Sequence, residues 1–400
     1  MTISMVKLSE MADINPRLVN RPEPNTLVSF VGMADLNADT GATSSGEERI
    51  FDEVAKGYTQ FTNQDLLVAK ITPCFENGKI AQADLSHSHG SGSTEFHVIR
   101  PDRSKLDDRF LLHFLRQPSV RIDGERRMTG SAGQRRVPER YLADLQVPVL
   151  PLPEQRRIAG ILDHVDTLRV KSRKAISIFD DLAQSIFLDM FGTVASNDRQ
   201  WPAGKVADLV AKFTSGKSFA AAESDGPDVR YRVLKVSSVT SGRFDASESK
   251  PVPSDYLPPL SHIVNDGDLI FSRANTEALI GATALAVSPP HNLLLPDKLW
   301  RFVWHADRPT HPLFVRQLFL QPEIRREISR RSSGTSGSMK NISQPKVLSI
   351  ACGIPPLALQ HQYGKRIESV EKIADQQRGY LVELDALFAS LQHRAFRGDL

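Results

Sequence analysis

The chain has 400 residues, 40% of them hydrophobic and 24% charged, which is the usual balance of a soluble globular protein. This length exceeds what one compact core usually takes, so two or more domains are expected. The formal net charge of +3 is too small to indicate a nucleic-acid binder, and no run of about 18 apolar residues predicts a membrane span.

The beginning of the chain and its two cysteines indicate a reducing compartment. The first residues carry Glu10 and Asp13 and lack the apolar core of a signal peptide, so we expect a cytoplasmic protein. Cys74 and Cys352 cannot form a disulfide framework. The spacing of Cys74 from the histidines at 87, 89 and 97 matches no closed zinc pattern, which favours two buried cysteines and no metal.

Residues 1–150 are predicted to form a first lobe of mixed α/β structure. Short strands are expected at 28–32, 66–70, 79–83 and 95–99, and a helix at 109–117. Prolines at 148, 151 and 153 then mark the start of a long helix over 151–195, because proline is tolerated before a helix and in its first turn. Apolar side chains recur along this helix in steps of three and four, at Ile158, Ile161, Val165, Leu168, Ala175, Phe179, Leu182 and Ile186.

A joint at 192–204 leads to a second lobe over 196–353. Strands are expected in it at 232–236, 268–272, 282–287 and 301–304, and a second long helix follows over 354–400. The apolar seam of that helix is Val370, Ile373, Tyr380, Leu384, Leu387 and Leu391. Ser172 and Gln377 are polar seam residues, which either fix the register of the helix pair or are merely tolerated. Both seams last about four heptads and predict a coiled coil.

The second half of the chain repeats the first at a spacing of about 204 residues. Arg126-Arg127 recurs 204 residues later as Arg330-Arg331, and Gln155 recurs 205 residues later as Gln360. A repeat of this length is too long for a solenoid unit and indicates two copies of a whole domain. Low identity between the copies suggests a shared scaffold whose surfaces differ.

Two loops in each lobe carry side chains suited to nucleic acid. The strand-exit loops, 70–79 and 273–276, supply groups that can read base edges in the major groove: Lys70, Thr72, Asn77 and Lys79 in one copy, and Arg273, Asn275 and Thr276 in the other. The glycine–serine loops, 126–136 and 330–341, combine small residues with cations that can neutralise phosphates. Their candidate contacts are Arg126, Arg127, Ser131, Gln134, Arg135 and Arg136, and Arg330, Arg331, Ser336, Ser338, Met339, Lys340 and Asn341.

The sequence carries no recognisable catalytic or cofactor motif. A methyltransferase catalytic loop of the Asp/Asn-Pro-Pro-aromatic form and a phosphate-binding G-x-x-x-x-G-K-[ST] loop are both missing, so no catalytic residue and no cofactor is expected. Asp245, Glu248 and Lys250 have a spacing used by metal-dependent nucleases, but the first lobe has no counterpart. A coiled-coil adaptor that binds only protein is the other alternative, and the basic residues in the repeated loops disfavour it.

The repeat, the long helices and the segment Pro148-Val149-Leu150-Pro151-Leu152-Pro153-Glu154-Gln155 resemble the specificity subunit of type I restriction–modification systems. Gln134 and the closing stretch from Leu387 to Gly398 add to this resemblance, which covers essentially the whole chain. The second helix start departs from the pattern, since Leu359 stands where Glu154 does.

The resemblance implies an α+β fold in which two similar target-recognition domains are separated by a long antiparallel two-helix coiled coil with pseudo-two-fold symmetry. Each domain would read one half of a bipartite site in double-stranded DNA. The helices would set the gap between the half-sites and dock two methyltransferase subunits, while a restriction and translocase subunit would cleave the DNA. No membrane partner is implied.

Overall fold

The computed structural model describes residues 4–44, 46–131, 133–219, 230–334 and 339–400. Its internal contacts divide the chain into two units, Met1–Ile176 with Gln376–Leu400, and Ser177–Asp375. Each unit therefore combines one lobe with a part of both long helices. None of the helices in the described ranges is long and apolar enough to cross a membrane.

The first lobe consists of short strands and short helices. The strands are β1 (Met5–Lys7), β2 (Ala12–Ile14), β3 (Leu27–Val31), β4 (Leu36–Asn37), β5 (Ala42–Thr43), β6 (Glu47–Ile50), β7 (Thr59–Thr62), β8 (Leu66–Ala69), β9 (Ile80–Gln82), β10 (His89–Gly92), β11 (Phe96–Pro101) and β12 (Gln146–Pro148). The helices are α1 (Phe51–Val54), α2 (Asp108–Leu115), α3 (Pro118–Arg126) and α4 (Glu139–Ala143).

These strands form two main sheets and a closing pair. The larger sheet has the order β2-β11-β8-β9-β5-β4, the smaller one β6-β3-β10-β7, and β1 pairs antiparallel with β12. Strand β8 is buried along its whole length, as its uninterrupted Leu-Leu-Val-Ala sequence predicts. Asp107 caps the N-terminus of helix α2, where its carboxylate accepts hydrogen bonds from the backbone N–H groups of Arg109 and Phe110.

The long helix α5 (Leu152–Phe191) leads to the second lobe. This lobe contains β13 (Ala203–Lys205), α6 (Val206–Leu209), β14 (Lys212–Ser215), β15 (Arg232–Leu234), β16 (Ser249–Pro251), β17 (Leu269–Ser272), β18 (Ala274–Asn275), β19 (Thr283–Leu285), β20 (Leu293–Leu294), β21 (Leu299–Val303), α7 (Pro312–Leu320), α8 (Pro322–Arg331), β22 (Lys340–Asn341), α9 (Gln344–Leu348) and β23 (Ala351–Gly353). Helix α10 (Leu357–Ala395) follows.

The second lobe repeats the strand order of the first. Its sheet β14-β21-β17-β19 corresponds to β2-β11-β8-β9, its sheet β16-β15-β20 corresponds to β6-β3-β10, and β13 pairs with β23 as β1 does with β12. The strands and the helix predicted from hydrophobic pattern are confirmed to within two residues at each end. The three-residue strands β1 and β13 were not predicted, because their sequences, Met-Val-Lys and Ala-Gly-Lys, are too short and too polar to show a hydrophobic pattern.

A glutamine at the start of each long helix fastens that helix to its lobe. The side-chain oxygen of Gln155 accepts from the backbone N–H of Asp107 at 2.8 Å, and its amide donates to the carbonyl of Lys105 at 2.9 Å. Gln360 likewise accepts from the backbone N–H of His311 at 3.1 Å and donates to the carbonyl of Pro355 at 2.9 Å. Both glutamines are buried, so this repeated residue satisfies backbone groups where helix and lobe meet.

Within the first unit, α5 and α10 run antiparallel. Arg157, near the beginning of α5, donates to the carbonyl of Leu400 at 2.9 Å, and Arg169 pairs with Asp385 at 2.6 Å. Later positions of α5 thus meet earlier positions of α10. In the second unit, Phe187 near the end of α5 contacts Tyr363 near the start of α10, with ring centroids 5.5 Å apart.

Several of the predicted seam positions do not lie on the buried face of their helix. Ile158, Val165 and Ser172 are buried as predicted, but Leu162 is buried in place of the partly exposed Ile161. The same displacement brings Ala374 and Phe388 inward, and the predicted seam residues Leu168, Leu182, Ile373, Tyr380 and Leu387 are exposed. The reason is that each helix also packs against its lobe, which turns the buried face by about one residue, or 100°.

Candidate nucleic-acid interface

The two predicted loops of the first lobe are hydrogen-bonded to each other. The backbone N–H of Thr72 donates to the carbonyl of Arg135 at 3.0 Å, and that of Val137 donates to the carbonyl of Lys70 at 2.8 Å. Ile71 and Arg136 form an antiparallel bridge between them. The strand-exit loop and the glycine–serine loop, which lie more than 40 residues apart in sequence, therefore form one surface.

The second lobe joins its loops in the same way. Strand β18 in the strand-exit loop pairs antiparallel with β22 in the glycine–serine loop, with Ala274 opposite Asn341 and Asn275 opposite Lys340. The backbone N–H of Ile342 adds a bond to the carbonyl of Arg273 at 3.0 Å. Since these positions correspond across the repeat to those joined in the first lobe, the paired loops are a feature of the scaffold.

Several predicted contact residues are exposed on these loops. They are Asn77, Arg126, Arg127, Ser131 and Gln134 in the first lobe, and Thr276, Arg330, Met339 and Asn341 in the second. Lys70, Arg135, Arg136, Arg273, Arg331 and Lys340 are partly exposed. Ser336 and Ser338 lie outside the described residues.

Other predicted residues have side chains that bond within the protein, among them Lys79, Thr72 and Asn275. The ammonium of Lys79 donates to the carbonyl of Met33 at 2.6 Å, and the hydroxyl of Thr72 donates to a carboxylate oxygen of Glu76 at 2.8 Å. Asn275 is buried. These contacts hold the strand-exit loops in shape.

Carboxylates that the sequence analysis overlooked neutralise part of the basic surface. Arg136 donates twice to Glu95, at 2.9 and 2.8 Å, and this hydrogen bonding holds the pKa of Glu95 below its usual value. Lys340 pairs with Glu277 at 2.9 Å. Among the described residues, neither Lys70 nor Arg126 forms an ion pair, so their charges stay available to an anionic ligand.

Glu327 is one acidic partner of the basic surface that the sequence could have revealed. Its carboxylate pairs with Arg330 at 2.8 Å and Arg331 at 2.9 Å, and the hydrogen bond from Arg330 is the main cause that lowers its pKa to about 2. Their spacing of three and four residues on helix α8 predicts such pairs from sequence. Glu95 and Glu277 could not be found this way, because their partners are distant in the chain.

In the parts of the chain that the structure describes, no other group of side chains forms a candidate metal site. No group of three or more His, Cys, Asp or Glu side chains there is placed to hold a metal ion. Cys352 is buried, which raises the pKa of its thiol to about 12, whereas the prediction of burial is wrong for Cys74, which is partly exposed. Asp245 accepts from the hydroxyl of Ser247, and Lys250 donates to the carbonyl of Phe219, so both side chains are engaged by other partners.

Comparison with known proteins decides the family of the first half of the chain. Residues 2–178 match the model of the type I restriction modification DNA specificity domain. These residues belong to that domain family. The matched range contains the first lobe with its paired loops and more than half of helix α5.

Similarity to type I specificity subunits extends beyond that domain. The specificity subunit of the type I restriction enzyme EcoEI from Escherichia coli is 26% identical over 470 residues, covering 94% of this chain and 79% of the relative. The EcoAI specificity subunit from the same organism is 34% identical over 184 residues, which are 45% of this chain and 31% of the relative.

Solved structures share the fold. The type I restriction–modification S subunit from M. genitalium aligns over 98% of this chain and 96% of its own, with a TM-score of 0.57 and 15% identity. A chain from a study of complex assembly and conformational transition of the type I R-M system covers 100% of this chain and 98% of its own, with a TM-score of 0.54 and 17% identity.

Proposed function

We propose that this chain is the DNA-sequence-recognition subunit of a type I restriction–modification enzyme, in which each lobe reads one half of a bipartite site. The observation that carries the proposal is the joining of the strand-exit loop to the glycine–serine loop in both lobes. Each joined pair combines side chains that can read base edges with cations that can neutralise phosphates.

The divergence of side chains on this common backbone supports different half-sites. Lys70 in the first lobe corresponds to Arg273 in the second, and Gln134 corresponds to Met339. A guanidinium can bind a guanine edge with two hydrogen bonds, whereas an ammonium acts as a point donor. Two lobes with the same backbone arrangement would thus offer different side-chain contacts to the two halves of the site.

The long helices are proposed to act as the antiparallel coiled-coil spacer between half-sites, in a pseudo-two-fold arrangement. Helix α5 has 40 residues and α10 has 39, so each is about 60 Å long at 1.5 Å per residue. The antiparallel contacts of the first unit, including that of Arg169 with Asp385, support this role.

The same helices are proposed to dock two methyltransferase subunits, which in turn bring a restriction and translocase subunit. In the first unit, Leu168, Tyr380, Val382 and Leu387 are exposed large apolar residues. Apolar side chains left in water on neighbouring helix segments are typical of a surface covered by a protein partner. The partners would supply the methyl donor and flip the target base, so the chain itself would be catalytically inert.

Assembly with methyltransferase subunits tests this function directly. Methyl transfer to DNA is measured with the purified full chain alone, with the methyltransferase subunits alone and with both together. The proposal expects activity and a discrete two-part footprint only from the mixture. Methylation by the chain alone, or an unchanged footprint when the chain is omitted, would contradict it.

A further inference from the structure

A cavity of about 310 Å³ lies in the first unit between the lobe and the long helices. Its charged lining residues are Arg116, Arg121, Arg169, Arg173, Asp39 and Asp385. The arginines outnumber the aspartates by two, so the lining is positively charged. Asn77, a predicted DNA contact in the strand-exit loop, lines the same cavity.

Two of the four arginines each have one donor without a partner, although Nη1 of Arg121 donates to the carbonyl of Glu76 at 3.2 Å. Nε of Arg121 and Nη1 of Arg173 are buried and have no hydrogen-bond partner among the described residues. Arg173 pairs through Nη2 with Asp385 at 3.2 Å, and its Nη1 lies 3.8 Å from a carboxylate oxygen of Asp39, beyond hydrogen-bond distance. A buried guanidinium N–H without an acceptor is costly, and such a group in a polar cavity calls for a bound water or anion.

The other two arginines are also fixed around the cavity by partners within the first unit. Arg116 pairs with Asp166 at 3.0 Å and donates to the carbonyls of Ala38 and Asp39 at 2.8 and 2.7 Å. Arg169 bonds both Asp166 and Asp385 at 2.6 Å. These contacts hold the guanidinium groups in place before any ligand binds, which lowers the entropy cost of binding.

Two glycines leave room for the guanidinium groups. A Cβ at Gly78 would stand 3.0 Å from Nη1 of Arg121, and one at Gly41 would stand 2.9 Å from Nη1 of Arg116. Both glycines have positive φ, at +73° and +63°, so a side chain would be strained as well as crowded. The strand-exit loop thus bends closely around the arginine that carries a free donor.

The second unit serves as an internal comparison. Its cavity of about 400 Å³ between lobe and helices is lined by Arg243 and Arg316 but by three acidic residues, Asp180, Glu371 and Asp375. Leu320 and Ala374 stand there 204 and 205 residues after Arg116 and Arg169. The fold therefore does not require an arginine-lined cavity at this place.

We propose that the cavity of the first unit is a binding site for a phosphate-class oxyanion, held by Arg121 and Arg173. Guanidinium groups bind tetrahedral oxyanions through charge-assisted hydrogen bonds, and a phosphate has enough oxygens to accept from both. The oxyanion comes either from the DNA backbone, which rests on the proposed function, or from free phosphate.

The test compares the full-length wild type with Arg121→Gln and Arg173→Gln. Arg325→Gln is the matched control, because Arg325 stands 204 residues after Arg121 and its Nη1 is also buried without a partner, yet it does not line the acidic cavity. Thermal unfolding is followed during titration with sodium phosphate and with sodium chloride at equal ionic strength. Arg121→Lys and Arg173→Lys show whether charge alone restores binding.

The expected result is a saturable rise in Tm of about 3 °C with phosphate in wild type and Arg325→Gln, absent in Arg121→Gln and Arg173→Gln. A phosphate effect equal to that of chloride, or one of equal size in all variants, overturns the proposal. Because this arm uses no DNA, its outcome is independent of the proposed function.

A second arm identifies the source of the oxyanion. The salt dependence of binding to a short DNA duplex is measured for the same proteins. If the plot of log affinity against log salt is shallower by about 0.9 in Arg173→Gln, and phosphate no longer raises the Tm of that variant, the site binds a DNA phosphate. An unchanged slope with loss of the phosphate effect assigns it to a free phosphate compound, and the oxyanion site stands.

Discussion

The side chain of Ser172 meets that of Gln377, the residue 205 positions later that occupies the same place in the repeat. The amide of Gln377 donates to the Ser172 hydroxyl at 2.9 Å, and that hydroxyl donates to the backbone carbonyl of Gln377 at 3.3 Å. Equivalent residues of a repeat contact each other only beside an axis that relates the copies. This contact supports the proposed pseudo-two-fold arrangement of α5 and α10.

We predict that Ser172→Ala lowers the free energy of unfolding by about 1 kcal/mol, because it removes a buried hydroxyl that serves the Gln377 amide. A double-mutant cycle with Gln377→Ala should show positive coupling in urea unfolding. Ser185→Ala, at an exposed position of the same helix, corrects for the higher helix propensity of alanine. Additive effects of the two substitutions would show that the contact contributes nothing.

The paired loops make a prediction about salt dependence. Arg135→Ala and Lys340→Ala should each weaken binding to duplex DNA and make the plot of log affinity against log salt shallower by about 0.9, because each removes one phosphate contact. Arg308→Ala is the control, since Arg308 lies outside both loops and pairs with Asp208. Unchanged affinity and slope in both loop variants would show that these loops face away from DNA.

Helix α10 offers a matched pair of apolar substitutions. Phe388 is buried, and the guanidinium of Arg169 lies 4.4 Å from its ring centroid, so Phe388→Ala should cost about 3 kcal/mol. The neighbouring Leu387 is 47% exposed, so Leu387→Ala should change the free energy of unfolding by less than about 0.5 kcal/mol. Urea unfolding of both variants decides this, and equal losses would contradict the assigned faces.

Leu387 and Phe388 also show which features of the helices the sequence pattern predicts correctly and which it does not. The steps of three and four along the chain were enough to predict two long helices, whose starts lie within three residues of the predicted positions. The heptad pattern favoured Leu387 over Phe388, because it assumes a single partner helix. The true buried face depends on the lobe as well, through contacts such as that of His113 with Phe388, and those arise between residues distant in the chain.

The sequence predicted where the loops of the candidate site lie better than it predicted which of their charged side chains are free. Small residues close to Arg126 and Lys340 identified the glycine–serine loops at matching places in both halves. In the structure these loops pair with the strand-exit loops. The inward bond of Lys79 to Met33 and the pairing of Arg136 with Glu95 depend on long-range contacts, so composition and spacing could not reveal them.

The lowered pKa of Asp163 is expected to make the first unit less stable at acid pH. Burial would raise its pKa, but hydrogen bonds from His113 and Arg109 outweigh burial and lower it to about 2, from an ordinary value of 3.8. A lowered carboxyl pKa stabilises the fold above the ordinary value, and this stability is lost as pH falls toward 2. With solvent screening of a side chain that is 33% exposed, the expected loss is about 1–2 kcal/mol.

Asp163→Asn should remove that pH-dependent component and be less stable than wild type at neutral pH. Asp307→Asn, at a side chain that is 76% exposed, should leave the profile unchanged. The measurement is urea unfolding at intervals between pH 2 and pH 7. Parallel profiles for wild type and Asp163→Asn would show that Asp163 does not carry the effect.

Exchange of one lobe tests the central claim, that each lobe reads its own half of a bipartite site. Residues 196–353 are replaced by the corresponding lobe of a related specificity subunit, and the methylated sequences are mapped in cells that carry the hybrid with its methyltransferase subunits. The account predicts that one half of the recognised sequence changes and the other half is kept. A change in both halves, or in neither, would contradict it.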